Sequence, residues 1–425
     1  MSFAMKKKVL VLCYSDLSRD PRLRRQVLWI KDEFEVSVAG IKHFDDVPVR
    51  FLPITPQKSI DKFKKKKNYQ KILTFHHNYP FLFRKMISLC IKLFLGLRNS
   101  FSVFKTDEQK FENEYWYGDT WHGRYPDERV DFIESLNNEF FDVIIANDID
   151  TVPLALKIGK GKSKIIFDSH EFHPGESDEN LDWVREQKSL VTYLCKTYIP
   201  KVDLMFTVGH CIADLYEKEF NRKPLVITNA SGYRDNLKPG TVGPEIKLIH
   251  HGLCVRGRDI NAMLQMTKFL DKRFQMDLML MPVEWDLKYY EEIKEIASQL
   301  TNVKIIPPVP TVKISEFINA YDVGIYIIQP SNLNNLNSLP NKFFEFIQAR
   351  LAIAIAPSPE MKKIVENHRI GIVSKDFTSQ ALAECLNSLT NEEISAFKQE
   401  TNSHAYELSS EKNKELFLAE VKKML

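Results

Sequence analysis

Short apolar runs of strand length recur along this chain in two separate series, with segments of helical spacing between them, and this pattern constrains the fold more than any other feature. The first series opens at Val9 to Tyr14. It continues through Arg19 to Lys31, where Leu23, Val27, Leu28 and Ile30 fall at roughly helical spacing, and reaches Phe34 to Ala39. It resumes at Phe141 to Ala146, Lys164 to Phe167, Leu204 to Val208 and Pro224 to Ile227. A second series starts at Ile246 to His250 and runs through Met276 to Leu280, Val303 to Ile306, Val323 to Ile327, Leu351 to Ala356 and Gly371 to Val373. Strands that are apolar on both sides belong to parallel sheets, because crossover helices cover both faces. The expected class is therefore α/β, with two Rossmann-like, doubly wound parallel-sheet domains facing across a cleft.

Helix breakers concentrate at Pro239, Gly240, Gly243 and Pro244, where the pattern pauses, and place the linker there. The expected organisation is an amino-terminal domain over 1–237, a second domain over 246–400, and a helical segment over 401–425. That last segment either packs back on the first domain or mediates dimerisation. A chain of 425 residues, 44% hydrophobic and 27% charged, is too long for one ordinary core, which agrees with two domains.

Composition excludes some functions. The net charge of +3, from 59 basic and 56 acidic residues, gives no case for nucleic acid. Six cysteines are scattered without C-x-x-C spacing, so reduced buried thiols are expected, with no metal or redox role. Met1 to Lys8 leads directly into an apolar strand without a long signal-type run, so a cytoplasmic location is expected. Neither half carries G-x-G-x-x-G after its first strand, which disfavours nicotinamide and flavin cofactors.

An insertion at about 58–139 breaks the strand–helix rhythm and is both basic and aromatic. It contains Lys62 to Lys67 and the bulky run Phe81 to Leu97, which three cations interrupt. One reading is an interfacial helix meeting anionic lipid, peripheral on the inner face of the cytoplasmic membrane. The other is a run that packs on the sheet beside a solvated lysine face.

The richest local stretch runs from Ser338 to Ala356: an asparagine-rich loop, a helix opening at Pro340, then a buried strand. A helix N-terminus presents unpaired N–H groups and partial positive charge, which suits a diphosphate, and Glu345 one turn inside is placed to accept from ribose hydroxyls. The competing reading has Phe343, Phe344 and Ile347 facing the sheet and Glu345 merely solvated. His170 follows the strand at Lys164 to Phe167, at the carboxyl edge where open α/β sheets bind ligands. His170-Glu171-Phe172-His173 is not a zinc motif, because its histidines are three apart and Pro174 follows at once.

Several motifs in order resemble the GT-B glycosyltransferases, most closely the large retaining group that uses nucleotide-diphosphate sugars. They are Ser18 to Arg25, Asp142 to Asp150, Asp168-Ser169-His170-Glu171, His250-His251-Gly252 through Arg256-Gly257-Arg258-Asp259-Ile260, and the block from Pro340 to Ala356. The resemblance implies that Arg258 is the diphosphate-binding cation, assisted by Arg256. Glu345 matches the second glutamate of the family's paired motif. The first falls at Asn337, which is not acidic, so the sugar hydroxyl contact is left to Asn337, to backbone N–H groups from Ser338 to Asn341, or to a different donor. Lys342 either reaches a phosphate or pairs with Glu345 at i+3. The resemblance gives His170 a contact to the transferred sugar.

Glu171 and Asp148 either hold acceptor hydroxyls or cap the following helices. Asp20, Arg22 and Arg24 either line the acceptor side or form a surface ion-pair cluster. The implied reaction is hexosyl transfer, with retention and without metal or cofactor, to a saccharide or lipid-linked saccharide in surface polysaccharide or glycoconjugate assembly. The alternatives are a sugar-nucleotide epimerase of the same fold and a non-catalytic scaffold that binds a partner.

Overall fold

The computed structural model describes residues 6–44, 46–54, 106–117 and 126–425. Among them the first apolar series forms β1 (Lys8–Leu12), β2 (Glu35–Gly40), β3 (Arg50–Pro53), β4 (Val143–Asn147), β5 (Lys164–Ser169), β6 (Leu204–Thr207) and β7 (Leu225–Val226). Their order across the sheet is β3-β2-β1-β4-β5-β6-β7, with β1 parallel to both β2 and β4. β3 goes beyond the expected strands. It is a four-residue edge strand ending at Pro53, where a missing N–H is tolerated, and it is too short to carry a readable period.

The second series forms β8 (Ile246–Leu253), β9 (Phe274–Met281), β10 (Val303–Ile306), β11 (Val323–Tyr326), β12 (Ala352–Ile355) and β13 (Gly371–Val373), ordered β10-β9-β8-β11-β12-β13. Its described pairings are all parallel. The two sheets are the doubly wound, Rossmann-like pair expected.

Each face of the second sheet has its own core. Ile246, Leu248, Leu278, Ala352 and Ala354 pack on one side, and Ile249, Met279, Ile353 and Ile355 on the other, as the two-residue period of a strand dictates. On the latter side the helix Asn341–Gln348 approaches closely. A Cβ at Gly324 on β11 would sit 2.4 Å from the Phe346 ring, so only glycine admits this contact.

The chain divides into two compact units: Met1–Arg24 with Glu33–Ile166 and Asp182–Asp203, and Arg25–Asp32 with Phe167–Leu181 and Leu204–Leu425. Within the second unit the helix Ser410–Lys423 begins at Ser409, whose hydroxyl accepts from the Lys412 N–H. Trp29 Nε1–H donates to Ser410 Oγ at 3.2 Å, and Phe417 lies 5.5 Å from the Trp29 ring and 5.0 Å from Phe206. Among the described residues no helix is long and apolar enough to cross a membrane. Lys62 to Lys67 and Phe81 to Leu97 lie outside the described residues.

Candidate functional site

In the second sheet the chain winds outward from β8 through β9 to β10, then from β11 through β12 to β13 on the other side. A doubly wound sheet opens a crevice at the carboxyl ends of the two strands where the winding reverses, here β8 and β11. The residues at those ends are His250, His251 and Gly252 on β8 and Tyr326 on β11. The helix Asn341–Gln348 begins after Pro340, an N-cap with no side-chain hydrogen bond to the first turn.

His250 Nδ1 lies 2.9 Å from the Ile325 carbonyl oxygen, which can only accept, so Nδ1 carries the proton. Its Nε2 lone pair then accepts from Lys342 Nζ at 3.2 Å. The His250 and Tyr326 rings are parallel to within 2°, and Lys342 Nζ lies 4.9 Å from the Tyr326 ring centroid. Gly252 makes room for this lysine. It sits at φ 136°, and a Cβ there would fall 2.9 Å from Lys342 Nζ.

Lys342 and Glu345 are 8% and 9% exposed, so the solvated Glu345 that the sequence left open does not occur. Burial pushes the Lys342 amine down to about 7; Arg258 adds repulsion and Glu345 opposes it. Burial pushes the Glu345 carboxyl up to about 7, against the attraction of Lys342 and Arg25. Burial and then Lys342 hold His251 at about 3, so its imidazole is neutral. His251 Nε2 is 3.3 Å from Glu345 Oε2 but makes no hydrogen bond of acceptable geometry, so this contact is proximity and not an ion pair.

The Tyr326 and Ser338 hydroxyls are also buried without a well-formed hydrogen bond among the described residues, and Tyr326 faces both Arg258 and Ser338. Each unsatisfied buried polar atom costs about 1–3 kcal/mol. Three in one crevice, beside a cation and an amine, leave hydrogen-bonding capacity there that the described residues do not fill.

The other predicted residues fall in three groups. Arg258 joins the crevice beside Tyr326 and Lys342. Arg256 is tied elsewhere: its N–H donates to Asp286 at 3.0 Å, its guanidinium to Glu292 at 2.8 Å, and it lies 4.9 Å over the Tyr289 ring. Asn337 folds back to donate to the Leu333 carbonyl at 2.9 Å, closing the short helix Leu333–Leu336. Asn341 Oδ1 accepts from Arg25 Nη2 at 3.2 Å. Sequence reasoning gave Arg25 no role of its own; its one signal was its place in the basic run Arg22 to Arg25.

His170 Nε2 lies 3.9 Å from Asp168, whose carboxylate accepts from Gln26 at 2.9 Å. Glu171 accepts from Asn334 Nδ2 at 3.3 Å. Asn334 also clasps the Phe172 backbone, accepting its N–H at 2.8 Å and donating to its carbonyl at 3.2 Å. The asparagine-rich loop thus works partly as a clamp on the segment after β5, a role its composition did not reveal.

The remaining four lie in the first unit. Asp20 caps the helix Pro21–Ile30, accepting the N–H groups of Arg22 and Leu23 at 3.0 Å each. Arg24 pairs with Asp46 at the surface, and Arg22 is buried. Asp148, at φ 66° and ψ 154°, holds a backbone conformation that is essentially glycine's, and makes no side-chain capping bond. The capping reading for Asp148 is therefore corrected. The carboxylate ends just past β4, near Cys13, whose thiol it helps push upward after burial.

The sequence matches no family model and no curated protein. Solved structures match it throughout its length. Anabaena HepE in complex with UDP aligns with TM-score 0.67 at 12% identity, over 98% of this chain and 100% of that one. The α,α-trehalose-phosphate synthase (UDP-forming) of Burkholderia vietnamiensis aligns with TM-score 0.61 at 12% identity, over 98% and 100%. The E. coli trehalose-6-phosphate structure bound with UDP-2-fluoro glucose gives 0.62 at 10% identity, over 99% and 100%. The chain has the GT-B fold, two Rossmann-like parallel-sheet domains, in common with these nucleotide-sugar proteins.

Proposed function

We propose that this chain is a glycosyltransferase that moves a hexosyl group from a nucleotide-diphosphate sugar to a saccharide or lipid-linked saccharide acceptor. The carrying observation is the buried cluster at the switch point of the second sheet: Lys342, Glu345 and Arg258 around the hydroxyls of Tyr326 and Ser338. In this reading Glu345 accepts from the ribose hydroxyls. Arg258, Lys342 and the N–H groups opening the helix Asn341–Gln348 take the diphosphate, with Ser338 and Asn341 beside it. The UDP and UDP-sugar complexes of the similar structures support a nucleoside diphosphate in the same fold.

The difficult event is departure of the diphosphate, on which negative charge grows as the glycosidic bond breaks. Preorganised cations and N–H groups in a buried site stabilise that charge without reorganising, and this needs no metal. Removing one such donor costs about 3 kcal/mol, or about a hundredfold in rate. In this reading none of the described crevice side chains acts as a covalent nucleophile. Retention then follows from attack on the face the phosphate leaves, the departing phosphate taking the acceptor proton.

His170 is assigned to the transferred sugar. Asp20, Arg22, Arg24, Asp148 and Glu171 are assigned to the acceptor side, where Asp148 has the strongest physical support because its strained backbone aims a carboxylate off a strand end. A lipid-linked acceptor, in surface polysaccharide or glycoconjugate assembly at the inner face of the membrane, accords with the basic and aromatic composition of the insertion.

Calorimetric titration with UDP, GDP, ADP, CDP and dTDP tests the donor site, using the wild type, Arg258→Ala and Glu345→Gln. One nucleotide binds selectively and both substitutions weaken it at least tenfold. Failure of a folded sample to bind any of the five refutes the donor site. It leaves a non-catalytic scaffold, a reading that the local use of the Asn337 amide favours.

A further inference from the structure

A second group of side chains converges away from the crevice. The helix Pro359–His368 follows β12 and runs back against it, so its last residue, His368, lies toward the amino edge of the second sheet. His404 ends the helix Asn391–His404, and Glu407 lies in the turn that leads into the helix Ser410–Lys423. One ligand atom from each of His368, His404 and Glu407 lies within 4.8 Å of the other two.

One histidine already presents its ligand nitrogen. His368 Nδ1–H donates to the Ile364 carbonyl at 2.9 Å, which leaves its Nε2 lone pair directed away, 3.8 Å from Glu407 Oε1. His404 Nδ1 donates to Glu407 Oε2 at 3.2 Å, so a metal bound there would take the place of that proton, while its Nε2 lies 3.8 Å from Glu400. Tetrahedral zinc with bonds of about 2.0–2.1 Å sets neighbouring ligand atoms about 3.3 Å apart. The 3.2 and 3.8 Å separations, each to a different oxygen of the Glu407 carboxylate, bring both imidazoles to that range of one side chain.

His368 also has an outer hydrogen-bond partner for its other nitrogen, the Ile364 carbonyl. Metal-bound histidines are generally oriented by such partners. Both imidazoles sit in the last turn of a helix, where the dipole favours positive charge. They are 18% and 32% exposed, open enough for an ion to arrive and buried enough to be held in place.

We propose that His368 Nε2, His404 Nδ1 and the Glu407 carboxylate form a zinc-binding site, with water as fourth ligand. The site is structural and separate from sugar transfer. It ties the end of the helix Pro359–His368 to the turn that launches the carboxyl-terminal helix.

The test uses the full chain, stripped with a chelator and titrated with zinc in competition with a chromophoric chelator. The wild type binds one zinc per chain, and its unfolding midpoint rises with free zinc. Glu407→Gln and His404→Ala each weaken binding at least tenfold and remove the thermal shift. Glu407 is exposed, so Glu407→Gln folds even if His404→Ala does not. No saturable zinc uptake by the wild type overturns the proposal, as does zinc affinity unchanged in Glu407→Gln, and the cluster is then only two histidines packed beside Glu407.

Discussion

A nucleoside diphosphate entering the crevice changes the charge that Lys342 and Glu345 feel, and the resulting proton exchange is measurable. The free amine has a pKa of about 7, and a diphosphate beside it raises that value by two units or more. At pH 8 the free amine is about one-tenth protonated, so binding takes up about 0.9 proton; at pH 6 it takes up about 0.1. Glu345 works in the opposite direction. Its carboxyl, at about 7, ionises when ribose hydroxyls donate to it, releasing about 0.9 proton at pH 6 and about 0.1 at pH 8. The sum is a net uptake of about 0.8 proton at pH 8, a net release of about 0.8 at pH 6, and a crossing near pH 7. Affinity therefore peaks near neutrality and falls by up to about tenfold per pH unit on either side.

Titration calorimetry in paired buffers of different ionisation enthalpy reads the exchange directly. Lys342→Met abolishes the uptake at pH 8. It also extends the release to higher pH, because Glu345 has lost a nearby cation. The same substitution should stabilise the fold. The Lys342 pKa is depressed on folding, so between about 7 and 10.5 the unfolded state binds more protons and stability rises with pH; below 7 the penalty is constant. Replacing the ammonium by a thioether removes that penalty and raises stability at pH 7 by about 1–3 kcal/mol, while nucleotide binding weakens but stays measurable. Tight binding with buffer-independent heats at both pH 6 and pH 8 would refute the placement of these two groups at the ligand.

Two further substitutions probe the site's support. Gly252→Ala forces a Cβ to within 2.9 Å of Lys342 Nζ at a backbone angle of 136°; nucleotide affinity falls about tenfold or more, and stability falls by about 1–3 kcal/mol in denaturant titration. Arg350, 1% exposed, donates to the Gln348 carbonyl at 2.7 Å, the Arg234 carbonyl at 2.6 Å and Asn402 Oδ1 at 2.9 Å. Arg350→Ala leaves these acceptors buried and unpaired and costs about 3–5 kcal/mol, seen as a lower unfolding midpoint.

Burial on both faces made the second sheet legible: Leu351 to Ala356 and Val323 to Ile327 are apolar throughout, and their strands lie within those ranges. β3 was hidden because Arg50-Phe51-Leu52-Pro53 has two apolar residues between a cation and a proline, too few to set a period. Glu345 was visible because a helix start, a spacing and a following strand lie within one stretch. The partners of that stretch were not. Lys342 meets His250 across 92 residues, and Asn334 clasps Phe172 across 162, separations at which no local pattern operates.

Charge was the least legible property of all. A lysine and a glutamate three apart on a solvated helix make an ion pair worth a few tenths of a kcal/mol, and the sequence Asn341 to Gln348 is compatible with that outcome. Phe343, Phe344, Phe346 and Ile347 are all fully buried, so this helix has no solvated side, and its two charges are carried into the crevice with them. Arg258, reaching the same place from the end of β8, then weakens the lysine's hold on its proton. The four apolar side chains thus do more than pack. By removing water from Lys342 and Glu345 they convert an ordinary pair into two groups whose charge states depend on what occupies the crevice, and that dependence couples the packing of the helix to its proposed chemistry.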